Sequence, residues 1–143
     1  MATVTSVKLV ISSETRLVDL VHAAAEQMAG LAGFDADEAL NVGLAVREAV
    51  INAIVHGNKE DPGLKVNVTL VAGEQGIEAV IRDHGNGFDP DRTPDPTDRT
   101  NLLNTSGRGL LLIRAFVDEV EVRRKRRGTE IKLIKRAGAN EKN

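Results

Sequence analysis

The order of its strand and helix patterns constrains the fold of this chain more than any other feature. Two pairs of alternating strand patterns, KVNVTLV with IEAVIRD and EVEVRRK with TEIKLIK, are each joined by a short segment that contains glycine. The full order is one strand, two helices, the first pair, a long polar segment, a third helix and the second pair. This order lacks the strand-helix alternation of a doubly wound parallel sheet. We therefore expect an α+β fold of two layers, in which the helices cover one face of a mixed, largely antiparallel sheet.

The first predicted helix follows the strand at residues 4–12. Ser12 or Ser13 is the expected N-cap, because a serine hydroxyl can accept a hydrogen bond from the first helical turn. His22 lies on this helix and is expected to be exposed. Apolar residues recur at three- and four-residue steps, as on the buried face of a helix: Leu17, Leu20, Val21, Ala24, Met28 and Leu31.

The second predicted helix has a sharper start. Asp35, followed three residues later by Glu38, has the form of a capping box, and apolar periodicity continues to Val55 before His56-Gly57 ends it.

No apolar stretch reaches the roughly 20 residues that cross a bilayer, and the N-terminal residues do not form a signal peptide pattern. We therefore expect a cytoplasmic protein with no membrane partner.

Composition excludes several kinds of chemistry. The length of 143 residues predicts one domain, with a core at about residues 4–136 and a tail at residues 137–143. The chain has no cysteine, which excludes a disulfide framework, a thiolate metal site and a cysteine nucleophile. It has three Phe and neither Tyr nor Trp, so the core must consist mainly of Val, Leu, Ile and Ala. The formal net charge of −2 does not favour bulk attraction to nucleic acid or anionic lipid.

Polar residues at intervals of four interrupt the second predicted helix. Glu48, Asn52 and His56 should share one face, because four residues make about one helical turn. Arg47 is the only other charged residue between positions 39 and 56. The face meets either solvent, where charged residues are usually found, or a site. In a site, the Asn52 oxygen would suit Mg²⁺ and the Glu48 carboxylate would suit a general base.

The segment RDHGNGF at residues 82–88 ends a predicted strand. Asp83 offers a carboxylate acceptor, and Gly85 and Gly87 allow the backbone to approach a flat ligand closely. Taken alone, these residues are as typical of a turn that closes a strand.

A long polar segment separates this strand from the third predicted helix. We expect residues 89–106 to be a lid, because loops of this length in compact domains are usually functional or disordered. Gly107 and Gly109 then open the helix, whose unpaired N–H groups favour phosphate. The alternative is that the glycines only make the helix entry flexible. The segment is neither a P-loop nor a dinucleotide fingerprint, since Gly-Lys-Ser/Thr is missing and the glycine spacing differs.

Together these segments form a four-part pattern. It consists of E-x-x-x-N-A-x-x-H-G-N, D-x-G-x-G-F, G-x-G-L at a helix start, and Gly128-Thr129 at the start of the last strand. The pattern resembles the ATP-binding fold shared by gyrase, heat-shock chaperones, sensor histidine kinases and mismatch-repair ATPases, the GHKL superfamily. The short length and the direct hairpin ending are similar to the bacterial anti-sigma factor serine kinases. The resemblance covers about residues 4–136.

The resemblance implies a phosphate and metal site on the second helix. Asn52 would hold Mg²⁺ against the phosphates of ATP, and Glu48 would activate the attacking hydroxyl. His56 and Asn58 would close the end of this site.

The resemblance also implies a site for the base. Asp83 would accept a hydrogen bond from the adenine amine, and Thr129 would support this contact. Gly85 and Gly87 would let the base pack against the backbone. The glycines implied to wrap the triphosphate are Gly107 and Gly109.

The implied reaction is transfer of the γ-phosphoryl group of ATP to a Ser or Thr hydroxyl of a small anti-anti-sigma (STAS-type) protein. The implied second activity is sequestration of a sigma factor, usually by a homodimer. The family has an Arg just before the Ser-Gly pair, whereas this chain has Thr105, and Arg108 is the candidate substitute. Without that substitution, ATP binding would persist with slow transfer. The alternative function is a nucleotide-gated regulator that binds its partner without catalysis.

The run RRKRR at residues 123–127 allows two interpretations. Lys and Arg neutralise phosphates, so the run suits a nucleic-acid patch. However, the chain has no Tyr or Trp to offer a stacking surface for bases. We therefore expect a solvated hairpin tip and no direct contact with nucleic acid.

Overall fold

The computed structural model describes residues 4–85 and 109–138, which form a five-stranded sheet and three α-helices. The strands are β1 (Thr5–Ser12), β2 (Lys65–Gly73), β3 (Gly76–Arg82), β4 (Glu119–Arg124) and β5 (Thr129–Arg136). The helices are α1 (Val18–Leu31), α2 (Ala36–Asn52) and α3 (Gly109–Phe116). A 3-10 turn (Thr15–Leu17) precedes α1, and a π-helical turn (Ala53–Gly57) continues α2.

The strands lie in the order β1-β2-β3-β5-β4, and each of these pairings is antiparallel. Both predicted hairpins are present, as β2 with β3 and β4 with β5. The first hairpin is tighter than the five-residue connection that the sequence indicated, because Gly73 pairs with Gly76. Only Glu74 and Gln75 remain in the turn, and Gly76 follows with a φ of 129°, which favours glycine.

The core lies between the helices and one face of the sheet. Alternate residues of the central strands are buried, such as Val66, Val68 and Leu70 of β2, while the residues between them lie on the other face. Helix α1 packs along α2, and both contact the central strands. The buried hydrophobic residues are Val, Ile, Leu and Ala with one Met. These observations confirm the α+β fold class and the expected core composition.

Helix α1 differs from the prediction at its start and on its buried face. Its N-cap is Leu17, with no side-chain cap, because the chain enters through the 3-10 turn. The Ser13 hydroxyl instead donates to the Leu64 carbonyl (2.6 Å). Leu20 and Leu31, expected on the buried face, are 57% and 65% exposed. The buried stripe is regular but uses smaller side chains: Val18, Val21, Ala25, Met28 and Ala29.

His22 is half-buried rather than exposed. A Cβ added to Gly43 of α2 would lie 2.7 Å from the His22 ring, so the imidazole occupies the space that this glycine leaves. Its Nε2 atom lies 3.4 Å from a carboxylate oxygen of Glu26. The prediction failed because the ring's surroundings depend on a residue of another helix.

Helix α2 begins as predicted. Asp35 accepts a hydrogen bond from the Glu38 N–H (2.8 Å), and the Glu38 carboxylate accepts one from the Asp35 N–H (3.4 Å), which is a capping box. By length and composition alone, Ala36–Gly57 could cross a membrane, which departs from the expectation that no segment could. Since 56% of the apolar 18-residue window within this stretch is buried, and core helices of soluble proteins pass the same test, this is weak evidence for a span.

Candidate functional site

Asp83 lies just after β3 and is 5% exposed. Its backbone N–H donates to the Thr129 carbonyl at the start of β5 (3.0 Å). Its Oδ1 atom accepts hydrogen bonds from the backbone N–H groups of Gly85 and Thr129, both at 3.2 Å. Two backbone donors therefore hold one carboxylate oxygen, while Oδ2 faces Gly57.

Burial raises the pKa of the Asp83 carboxyl above its ordinary value. The hydrogen bonds from Gly85 and Thr129, and the positive charges of His84 and Arg82, lower this pKa but do not outweigh burial. A desolvated carboxylate in a fixed orientation costs stability, and such groups cluster at functional sites. Asp83 is therefore the side chain in the described residues that most clearly marks a site.

Three glycines let the backbone enclose Asp83. A Cβ on Gly57 would lie 2.3 Å from Asp83 Oδ2, and a Cβ on Gly128 would lie 2.1 Å from the Asp83 carbonyl oxygen. A Cβ on Gly85 would lie 1.8 Å from the Gly57 carbonyl oxygen. All three glycines belong to the sequence pattern, but the sequence indicated Gly57 only as the end of a helix. The HGN tripeptide in the pattern was the signal available for Gly57.

Glu48 and Asn52 lie on the last turns of α2, but the predicted stripe does not continue to His56. Glu48 is half-buried and Asn52 is 7% exposed, whereas His56 is exposed. The π-helical turn explains the difference, since its hydrogen bonds span five residues, as from the Asn58 N–H to the Ala53 carbonyl (2.8 Å). A spacing of four residues therefore no longer keeps side chains on one face.

Asn52, Asp83 and Thr129 meet around a cavity of about 30 Å³ between α2 and the sheet. The walls are otherwise small or apolar, as in many ligand sites. A cavity of this size holds about one water molecule, so a nucleobase would have to widen it. The remaining lining residues are Ala49, Ala53, Gly57, Ile81 and Ile131.

The Glu48 carboxylate lies beside the first residue of α3. A Cβ on Gly109, which is buried, would lie 2.9 Å from Glu48 Oε2. The N-terminal end of a helix favours negative charge, whether from a carboxylate or from a phosphate. The fold thus brings Glu48 next to a glycine that the sequence pattern assigned to the triphosphate.

Asn58 lies behind the site and is 1% exposed. Its Nδ2 donates to Ser13 Oγ (2.8 Å) and to the Lys65 carbonyl (3.0 Å), and its Oδ1 accepts from the His84 N–H (2.9 Å). Both amide hydrogens are used, so Asn58 links the residue after β1 to the first residue of β2 and to the segment after β3. This structural role differs from the one that the resemblance implied, which was to close the phosphate end of the site. The sequence did not reveal this network because Ser13 and Asn58 are 45 positions apart.

Several predicted residues lie outside the described residues: Gly87, Gly107, Arg108, Thr105 and the lid at residues 89–106. Within residues 4–85 and 109–138, no group of three or more His, Cys, Asp or Glu side chains could hold a metal ion. Mg²⁺ does not require such a group, because it usually takes one or two protein ligands and completes its shell with water and phosphate. Asn52, at the cavity wall one turn after Glu48, fits that donor set.

Comparison with known families identifies a match over most of the chain. The family model that describes the histidine kinase-like ATPase domain matches residues 11–135 of this chain. The anti-sigma F factor of Anoxybacillus flavithermus is 36% identical over 103 residues, which cover 69% of this chain and 70% of that protein. The serine-protein kinase RsbW of Bacillus subtilis is 27% identical over 122 residues, 81% of this chain and 76% of that protein.

A solved structure has the same fold. It contains the RsbU and RsbW domains of a Mycobacterium tuberculosis protein, with a TM-score of 0.60 and 17% sequence identity. The match covers 92% of this chain and 32% of that chain. The two chains therefore share the fold although their sequences are only 17% identical.

Proposed function

This chain belongs to the histidine kinase-like ATPase family, and we propose that it is an ATP-dependent serine/threonine kinase that is also an anti-sigma factor. Both activities are supported by its relatives, an anti-sigma F factor and a serine-protein kinase. The proposed substrate is a small anti-anti-sigma protein of the STAS type. The proposed binding partner is a sigma factor, held by a cytoplasmic homodimer and released when phosphorylation of the antagonist changes.

The observation that carries the proposal is the fixed, buried carboxylate of Asp83. Two backbone N–H groups occupy Oδ1, which leaves Oδ2 as an acceptor toward Gly57 and the cavity. An ionised carboxylate can only accept hydrogen bonds, so it complements the amine of adenine and not a carbonyl. The glycines around Asp83 would let the base approach the backbone closely.

The end of α2 is the proposed phosphate and metal site. Asn52 would be a ligand of Mg²⁺, which when bound supplies neutralisation of the phosphate charge. Glu48 would accept the proton of the attacking Ser or Thr hydroxyl, whose oxygen bonds to the γ-phosphorus as the bond to ADP breaks. The position of Glu48 beside Gly109 supports this role, because the glycine is part of the predicted triphosphate loop.

Glu48→Ala tests the proposed catalytic step. We expect transfer from ATP to the protein substrate to fall at least about a hundredfold, the low end for loss of a general base, while nucleotide binding persists. Glu74→Ala, at an exposed position in the turn between β2 and β3, is the control and should keep full transfer. Transfer of radioactive phosphate from labelled ATP measures phosphorylation of the protein substrate, and calorimetry measures nucleotide binding. Unchanged transfer in Glu48→Ala would refute its role as the base.

A second candidate function is a nucleotide-gated regulator without catalysis. Thr105 favours it, because the family pattern has an Arg at this position. This candidate predicts that ATP changes the affinity for the partner protein while no phosphoprotein forms, even when Glu48 is intact.

A further inference from the structure

The basic turn, defined as residues 123–127 and so including the last two residues of β4, is attached to the backbone that encloses the candidate base site. Its closing hydrogen bond runs from the Lys125 N–H to the Gly128 carbonyl (3.0 Å). Gly128 packs directly on the Asp83 backbone, and the Thr129 N–H donates to the Asp83 carboxylate. A molecule that binds this turn therefore lies next to the nucleotide site.

The charges of the basic turn are only partly compensated, and one surface ion pair joins Arg123 to Glu121 (3.4 Å). Arg126 and Arg127 are exposed and form no ion pair with any residue that the structure describes. Lys125 lies 3.9 Å from Glu130, and ion pairs at the surface contribute little. The whole chain has a net charge of −2, so the residues outside the turn are net acidic.

The positive surface continues onto the open face of the sheet. Glu130 of β5 lies between Arg82 of β3 and Arg123 of β4 in the strand register, so two arginines flank one carboxylate there. His84 lies two residues after Arg82, and its Nε2 atom lies 2.8 Å from the Asn67 amide oxygen. An anionic surface could thus contact both the turn and the adjoining row of the sheet.

We propose that the basic turn docks an acidic surface of the protein that this chain phosphorylates, an inference that rests on the proposed kinase function. Charge complementarity raises the rate of encounter and fixes orientation. Because the rest of the chain is net acidic, an acidic partner is repelled elsewhere and attracted beside the nucleotide site. Nucleic acid fits less well, since the chain has no Tyr or Trp on which bases could stack.

The test reverses the charge of the turn and compares the result with a control on the opposite edge of the sheet. The test variant is Arg126→Glu with Arg127→Glu. The control is Lys8→Glu with Arg16→Glu, which changes the net charge equally at exposed positions in edge strand β1 and in the 3-10 turn before α1. The substrate is an anti-anti-sigma protein that the wild-type chain phosphorylates.

We expect the KM for the protein substrate to rise at least about tenfold in the turn variant, while kcat and the KM for ATP stay unchanged. The wild-type KM should rise with salt concentration, and that dependence should weaken in the turn variant. The control should keep a KM within about a factor of two of the wild-type value.

An unchanged KM in the turn variant, with normal transfer by the wild type, would overturn the docking surface and leave the kinase function standing. Failure of the wild type to phosphorylate any such protein would overturn both. A labelled DNA duplex is the competing probe. If the wild type binds this duplex, the turn variant does not, and the KM for the protein is unchanged, the turn serves nucleic acid and the proposal is wrong.

Discussion

At the scale of single residues, the Asp83 carboxylate lowers the stability of the fold while it serves the proposed nucleotide site. Burial raises the pKa of its carboxyl in the folded state. The folded state therefore loses stability as the pH rises from the ordinary carboxyl pKa through the raised value. A carboxylate that destabilises its own fold is expected where a ligand needs it.

Asp83→Asn should raise the unfolding midpoint at pH 7 and at the same time weaken ATP binding. The amide keeps an oxygen for the N–H groups of Gly85 and Thr129, but removes the desolvated charge. Affinity for ATP should fall about 10- to 100-fold, because a hydrogen bond to a charged group contributes about 1.5–3 kcal/mol. Circular dichroism melting and calorimetry measure the two effects.

The pH dependence separates this explanation from a general change in packing. The gain in midpoint of Asp83→Asn over the wild type should shrink as the pH falls through the raised pKa, and it should vanish below the ordinary carboxyl pKa, where Asp83 is protonated in both states. Asp37→Asn removes an equal charge at an exposed position and should show no such gain. A lower midpoint for Asp83→Asn at pH 7 would contradict the assigned cost of burial.

At the scale of elements, the sequence predicted the features that depend on neighbouring residues. It did not predict those that depend on residues far apart in the chain. The capping box of Asp35 and Glu38 involves residues three positions apart, so the start of α2 was predictable. The hairpins follow from alternation and turns for the same reason. The role of Ser13 was not predictable, because its partner Asn58 belongs to a distant element. Nor does a run of apolar residues reveal where α2 changes to a π-helical turn.

Asn58→Ala should destabilise the protein strongly. The substitution leaves three groups without this partner: the buried Ser13 Oγ and the partly buried Lys65 carbonyl and His84 N–H. Each such group costs about 1–3 kcal/mol, so we expect a loss of about 3 kcal/mol or more in urea unfolding. Asn67→Ala, which removes an exposed contact to His84, should cost less than about 1 kcal/mol. Equal losses in the two variants would mean that the buried network does not hold these elements together.

The chain after the π-helical turn is strained. Lys59 and Glu60 have φ values of 52° and 59°, and the left-handed region costs about 1–2 kcal/mol per residue for side chains other than glycine. Glu60→Gly should therefore stabilise the protein by up to about 1 kcal/mol, after the greater entropy loss of glycine on folding is subtracted. Glu26→Gly in α1 should instead destabilise it by about 1 kcal/mol. Chemical unfolding measures both changes, and a loss of stability in Glu60→Gly would contradict the strain.

At the scale of the whole molecule, the fold brings distant parts of the sequence pattern to one end of the sheet. Asn52 from α2, Asp83 after β3 and Thr129 from β5 line one cavity. The pattern predicted these residue types and their order from a family resemblance, and the chain folds as that family does. Hydrophobic periodicity alone could not have predicted that these residues meet, because the pairing of β3 with β5 joins residues 48 to 60 positions apart.

The measurement that tests nucleotide binding at this site most directly is thermal unfolding with ATP and Mg²⁺, followed by circular dichroism because the chain has no Trp or Tyr. A ligand at 100 times its dissociation constant adds about 2.7 kcal/mol, which should raise the midpoint by roughly 6–10 °C. We expect this rise in the wild type and its loss in Asn52→Ala. No rise at millimolar nucleotide, or an equal rise in Asn52→Ala, would contradict the proposed site.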